Sequence, residues 1–345
     1  MKSFKYILRS LINNAVIIEG RKRKWLESFV VFIIAMIIAL IPSTVTSATI
    51  KGSAIIDTKK ANSYGVEDGL KYFSETMKEK GISFKIVQEN KSKIITIIES
   101  EEKWGDNTNG EYYRNFVDDY FYYKRTDRVY QKDENNKTVG YEEKLVERLR
   151  VYQYVDLDNA ALNKKLSEIQ SQKIEDEPVS SFLAIGKTTC FFFIYSKTAK
   201  NWSNPVATRQ LTYDRFKDGQ EVISNYTGNK SIEIWAEFLD TGYETTKITT
   251  VFSQMGIFAA INVLVSLFMS IMIFVVTRGK RNPYRDYKFT EAMKIVGIAS
   301  LAPSIISAIV GFILPAYSSM IFMLLIGVRI MWLTSKNLNP AIEKK

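Results

Sequence analysis

The sequence predicts a membrane α-helical protein with four transmembrane helices and a large α+β extracytoplasmic domain inserted between helices 1 and 2. Three observations carry this reading. Four apolar runs, one starting at Trp25 and three beyond residue 250, each approach the ~20 residues that a helix needs to cross a hydrocarbon core. The 203 residues from Ala48 to Thr250 are polar and mix helix-like with strand-like periodicity. Outside that insert the cations gather in short segments bordering the apolar runs, as the positive-inside rule requires of cytoplasmic loops.

The 345 residues carry a net charge of +10, from 47 Lys and Arg against 37 Asp and Glu. On a soluble protein that excess would put nucleic acid first among partners. Its distribution removes the argument, because the insert holds 30 cations and 32 acids and the remainder 17 cations and five acids. The charge is a topology signal suited to anionic lipid at the cytoplasmic face, and no nucleic-acid partner is expected. The chain has no histidine, which excludes Ser-His-Asp and Cys-His sites, His-ligated zinc and a histidine pH switch. We assign no catalytic, metal-binding or cofactor-binding residue, and expect no enzyme. The one cysteine, Cys190, lies in the apolar run 188–194 and reads as a small residue of a buried strand.

Residues 1–24 form a basic cytoplasmic segment in which Phe4, Ile7, Leu8 and Leu11 fall at helical spacing, as in a helix lying on the inner leaflet or, equally, a cytoplasmic helix packed on protein. Seven cations up to Lys24 then hold the N-terminus inside, ahead of helix 1 at 25–47. Thr46-Ser47-Ala48 imitates a signal-peptidase site, but the leader would be unusually long, so no cleavage is expected. Helix 2 is expected at 251–277. The loop 278–288 has five cations and one acid and is placed inside. Helix 3 follows at 289–314, then an outer turn and helix 4 at 315–334, then a cytoplasmic tail at 335–345 ending in Lys344 and Lys345.

Polar residues inside the spans are few. Asn262 is the deepest, and Pro303 should kink helix 3, where Gly297, Ser300, Ser304 and Ser307 offer a small face for close packing. Glu291 and Arg329 sit at similar depth on antiparallel helices and are a candidate intramembrane pair, with snorkelling to the interface as the alternative. This is too little intramembrane charge for a typical ion path.

Within the insert, Val66, Leu70, Phe73 and Met77 mark an amphipathic helix over 66–80 that Gly81 stops. Residues 82–87 and 93–98 flank Glu89-Asn90-Lys91-Ser92 as strand, turn and strand, and 133–137 reads as a second turn. Asp158 is placed to cap a helix through about Gln172. Residues 182–195 return to strand, and Ile232 to Phe238 fits either strand or helix.

The densest aromatic stretch, 112–123, contains Tyr112, Tyr113, Asp118, Asp119, Tyr120 and Tyr122. Ring faces beside carboxylates suit a sugar or partner surface, and the same residues also suit a core strand. Other motifs fail on context. Ser181-Phe182-Leu183-Ala184-Ile185-Gly186-Lys187-Thr188 lacks the first glycine of a phosphate-binding loop, and Glu291-Ala292-Met293 lacks the downstream residues of a permease coupling loop. Glu175-Asp176-Glu177 reads as solvated acidic surface, and five Asn-x-Ser/Thr sequons are given no role.

Tyr287-Lys288-Phe289-Thr290-Glu291-Ala292-Met293-Lys294 leading to Leu301-Ala302-Pro303-Ser304, together with the span order, resembles a family of uncharacterised four-span membrane proteins of low-GC bacteria. Its members are often labelled maltodextrin-utilisation proteins of the MalA type. The resemblance covers the last ~95 residues and carries no catalytic residue. It implies an accessory part in carbohydrate uptake, with transporter subunits as partners. The resulting expectation is a non-enzymatic protein of the cell membrane whose outer domain binds a partner or ligand. A membrane-anchored, carboxylate-dependent glycan hydrolase and a small oligomeric transporter are the alternatives.

Overall fold

The computed structural model describes residues 2–56, 65–98, 112–114, 119–132, 138–172, 179–196, 198–223, 226–280 and 282–338. They divide into a helical unit, within 1–49 and 249–345, and an α+β unit, within 50–248.

The helical unit opens with α1 (Lys2–Ser10) and α2 (Asn14–Glu19), whose N-cap Asn13 accepts a hydrogen bond from the Ala15 amide at 2.9 Å. The unit contains four helices long and apolar enough to cross a membrane. The first is α3 (Trp25–Thr49), two residues longer than the sequence suggested. The third is interrupted at Ser300 into α7 (Phe289–Ala299) and α8 (Leu301–Ile313), and the fourth is α9 (Ser318–Asn337). The interruption has its cause three residues downstream. The Pro303 ring has no N–H and crowds the carbonyl four residues earlier, that of Ala299, where α7 ends. The small face of this span is buried as expected. A Cβ on Gly297 would lie 2.9 Å from the Ser28 carbonyl oxygen, so only glycine permits that approach of α7 to α3. Ser318 Oγ donates to the Ala39 carbonyl at 2.8 Å, joining α9 to α3.

The α+β unit has helix α4 (Val66–Glu79), a three-stranded sheet and a six-stranded sheet. The small sheet has the order β2 (Ser92–Ile98), β1 (Ser83–Glu89), β9 (Glu221–Val222). Asn90 turns β1 into β2 with φ at 54°, a conformation asparagine tolerates. The large sheet runs β3 (Tyr112–Arg114), β4 (Asp119–Lys132), β5 (Thr138–Tyr154), β6 (Ser181–Gly186), β7 (Thr189–Ile194), β8 (Ala207–Thr212). All its neighbours are antiparallel except β5 and β6. That parallel pair needs a crossover, supplied by α5 (Asn159–Ser171), whose cap Asp158 accepts from the Ala161 amide at 2.8 Å.

Alternation along β6 and β7 shows how the large sheet is covered. Leu183, Ile185, Cys190 and Phe192 join the main core with α4 and the small sheet, while Phe182 and Ala184 join a second core under α5 and Trp202. Both faces are buried, so these strands read in sequence as one apolar run. The run 182–195 is in fact a hairpin, turning at Lys187-Thr188. In β5 the register slips at Arg148, an extra residue opposite Tyr123 and Lys124, so Arg148 and Leu149 are buried in succession. Arg148 Nε donates to Asp127 at 2.6 Å, which compensates a charge otherwise costly to bury.

The segment Ile232 to Phe238 is helical. It belongs to α6 (Asn229–Thr277), whose first 20 residues lie in the α+β unit and the rest in the helical unit, where it supplies the second of the four apolar helices. Trp235, Phe238, Leu239 and Tyr243 recur at helical spacing and enter the main core, which decides against strand. Three sequence expectations, the turn at 133–137, the acidic run at 175–177 and the end of the tail, lie outside the described residues.

Two outcomes follow. A Cβ on Gly52 would meet the Leu239 carbonyl oxygen at 2.0 Å, so Gly52→Ala should destabilise the α+β unit by about 1–3 kcal/mol, seen as a lower thermal midpoint. Burial pushes the Cys190 thiol up, and Tyr213 likewise, so these groups hold their protons more tightly folded than unfolded. Their contribution is complete at neutral pH. It should fall by about 1.4 kcal/mol per pH unit once the unfolded thiol ionises above about pH 8.5, and by as much again only above about pH 10, where the unfolded tyrosine ionises. Denaturation from pH 7 to 10 checks this, and Cys190→Ser should flatten the first part of the decline.

Candidate functional site

The aromatic stretch is divided between structural roles. Tyr112 pairs with Phe121 and Tyr113 with Tyr120 in β3 and β4, while the side chains of Tyr112, Tyr113 and Asp119, and all of Asp118, lie outside the described residues. Phe121 enters the main core, with its ring 5.1 Å from that of Phe73. Tyr120 and Tyr122 point to the opposite face of β4 and are half-buried. There Tyr120 packs 5.4 Å from Tyr152 and lies under the guanidinium of Arg150, 5.1 Å from the ring centre. Arg150 also faces Trp202, pairs with Glu147 and donates to the Tyr152 hydroxyl at 3.2 Å. Ser180 Oγ donates to Glu147 at 2.7 Å. Burial lowers the Arg150 pKa, but Glu147 and Tyr152 outweigh it, so the charge is held more firmly than usual. This is an internally satisfied network on the margin of the second core, and Tyr120 is part of it.

A cleft of about 270 Å³ lies elsewhere in the α+β unit, where β9 meets the first turns of α6. Gln220, Glu221, Ile223 and Tyr226 form one wall, and Ile234, Glu237 and Phe238 the other. The helix residues share a face because they are three and four apart. On the strand side, Gly219 turns the chain with φ at 75° and Gln220 Oε1 accepts from the Lys217 amide at 2.9 Å. β9 then binds β1, and Ile223 follows with φ at 60°, an uncommon and strained conformation for a β-branched residue. Tyr226 is 37% exposed, with Lys230 Nζ 4.8 Å from its ring centre. The cleft therefore combines an aromatic face, an amide and two carboxylates with the apolar side chains of Phe216, Ile234 and Phe238. Those groups can stack on a CH face and accept hydroxyl hydrogen bonds. The sequence reading missed this site because Glu221 and Glu237 are 16 residues apart, and they converge only when 232–238 is helix.

Glu291 and Arg329 have separate partners, which corrects the expected pair. Glu291 Oε2 accepts from the Lys288 amide at 2.9 Å, closing a capping box at the start of α7. Arg329 Nη2 donates to the carbonyls of Ser10 at 2.6 Å and Leu11 at 2.9 Å. The end of α1 leaves those carbonyls without helical donors, so a guanidinium is a fitting partner. Among the described residues no group of three or more Cys, Asp or Glu could hold a metal ion. Comparison with protein-family models, curated proteins and solved structures finds no match.

Removing the guanidinium in Arg329→Met should loosen α1 and speed proteolysis at Arg9 and Arg21, by about tenfold to a hundredfold for a charged hydrogen bond worth ~1.5–3 kcal/mol. Glu291→Gln keeps its capping acceptor and should leave proteolysis unchanged. Equal effects would restore the direct pairing.

Proposed function

We propose that the chain is a four-span protein of the cell membrane, with both termini cytoplasmic and an extracytoplasmic α+β unit that binds carbohydrate as an accessory of a sugar-uptake system. The observation that carries the binding reading is the cleft between β9 and α6. Tyr226 offers a stacking face, and Gln220, Glu221 and Glu237 offer acceptors for hydroxyls. Four helices of sufficient length and apolarity support the membrane placement, and the cations bordering them support the orientation. The resemblance of residues 287–304 to maltodextrin-utilisation proteins supplies the ligand class and suggests transporter subunits as neighbours. The two carboxylates also favour a second reading, a glycan hydrolase with one acid and one base or nucleophile.

Titration of the full-length protein in nanodiscs with maltooligosaccharides, by calorimetry, separates these readings. Saturable binding without hydrolysis is expected, weakened at least fivefold in Tyr226→Ala by loss of a stacking face worth ~1 kcal/mol or more. Release of reducing ends, abolished by Glu221→Gln or Glu237→Gln, would establish the hydrolase instead. No heat with any maltooligosaccharide at millimolar concentration would remove the sugar reading.

A further inference from the structure

Along the face that α6 turns into the helical unit, Asn262, Ser266, Ser270 and Thr277 are buried beside Ile273, whereas Phe252, Leu264, Phe268 and Val275 of the same helix are exposed. Ser270 and Thr277 spend their hydroxyls on backbone carbonyls within α6. Asn262 and Ser266 do not: both amide atoms of Asn262 and the Ser266 hydroxyl have no hydrogen-bond partner, at 1% and 9% exposure. On α3, Ser28 is 2% exposed and its hydroxyl is likewise unpartnered. A buried hydroxyl without a partner costs about 1–3 kcal/mol, so two of them facing one space call for an acceptor there.

Ser28 and Ser266 line a cleft of about 290 Å³ between α3, α6 and α7. Apart from serine hydroxyls its walls are apolar, including Phe29, Phe32, Leu267 and Val296, and no charged side chain enters it. Walls of this kind suit a hydrocarbon chain. The acceptor wanted by Ser28 and Ser266 must be uncharged and attached to such a chain, which describes the ester carbonyl of a glycerolipid. Trp25, the first cleft residue on α3, directly follows Lys24, and Lys22 and Lys24 are exposed and in no ion pair among the described residues. Cations at that end favour a phosphate-bearing head group.

We infer that the cleft between α3, α6 and α7 is a binding site for one acyl chain of an anionic glycerophospholipid, whose ester carbonyl accepts hydrogen bonds from Ser28 and Ser266 and whose head group meets Lys22 and Lys24. The inference rests on the membrane placement of these helices and is independent of the sugar cleft.

The test uses the full chain in phosphatidylcholine vesicles doped with phosphatidylglycerol carrying a photoreactive diazirine near the ester end of one acyl chain. Cross-linked residues are mapped by mass spectrometry. Phe29, Phe32, Val263 and Leu267 should be labelled in preference to Ile309 and Phe312, which are exposed on another helix, and unlabelled phosphatidylglycerol should compete. Ser28→Ala with Ser266→Ala, which removes hydroxyls without adding bulk, should lower cleft labelling about threefold to tenfold, for one or two lost hydrogen bonds. Ser266→Leu, which fills the cleft, should lower it further, and Lys22→Gln with Lys24→Gln should reduce the preference over phosphatidylcholine about fivefold. Equal, non-competable labelling of cleft and exposed residues in all variants would overturn the lipid site while leaving the membrane placement intact. Absence of labelling on every helix would instead overturn the placement itself.

Discussion

The packing of Trp235 is the interaction on which the α+β unit depends. Its side chain is fully buried, its indole N–H donates to Ser74 Oγ at 2.9 Å, and its ring lies 6.1 Å from Phe73 and 5.8 Å from Phe238. One residue on α6 thus satisfies its polar atom on α4 while filling the space between helix and sheets. The rotation of α6 about its axis follows from that burial. Once Trp235, Phe238 and Leu239 face the core, Ile234 and Glu237 must lie to one side, opposite Glu221 and Tyr226. The candidate binding cleft is a consequence of where α6 buries its apolar stripe.

The large sheet faces a different constraint around β6, β7 and the end of β5 beside them, where both its surfaces are covered. A strand buried on two sides has no solvent face on which to leave charge, yet β5 carries Glu147, Arg148 and Arg150. The bulge resolves this. The extra residue turns Arg148 toward Asp127 and leaves Glu147 and Arg150 on the opposite face, where they pair with each other amid Tyr120, Tyr152 and Trp202. Each of these three charges in β5 has a partner of opposite sign. The aromatic stretch that stands out in the sequence is therefore divided, Phe121 to the main core and Tyr120 to the border of this network.

In the helical unit the arrangement of polarity is reversed relative to a soluble bundle. Except for Ile273, the large apolar side chains of this part of α6 are exposed or half-buried, and its buried polar ones are serine, threonine and asparagine, small enough for close helix approach. Most of their hydroxyls return to backbone carbonyls, as at Ser300, Ser304 and Ser307. Those of Ser28 and Ser266 do not, and both open on the same cleft.

Local pattern and length by themselves determined the four apolar helices, the α4 and α5 helices with their stops and caps, the β1–β2 hairpin and the burial of Cys190. Each rests on periodicity or turn chemistry within some 25 residues. Tertiary structure decided what depends on partners distant in sequence. Ile232 to Phe238 had no preferred periodicity until Trp235 found Phe73 and Ser74. The 182–195 run concealed a hairpin because burial on both faces erases alternation. Arg329 met Ser10 and Leu11 rather than Glu291, since helix-end carbonyls more than 300 residues away left no signal near it. The carboxylates of the candidate cleft, on β9 and on α6, are neighbours only because a buried tryptophan turns the helix that carries one of them toward the strand that carries the other.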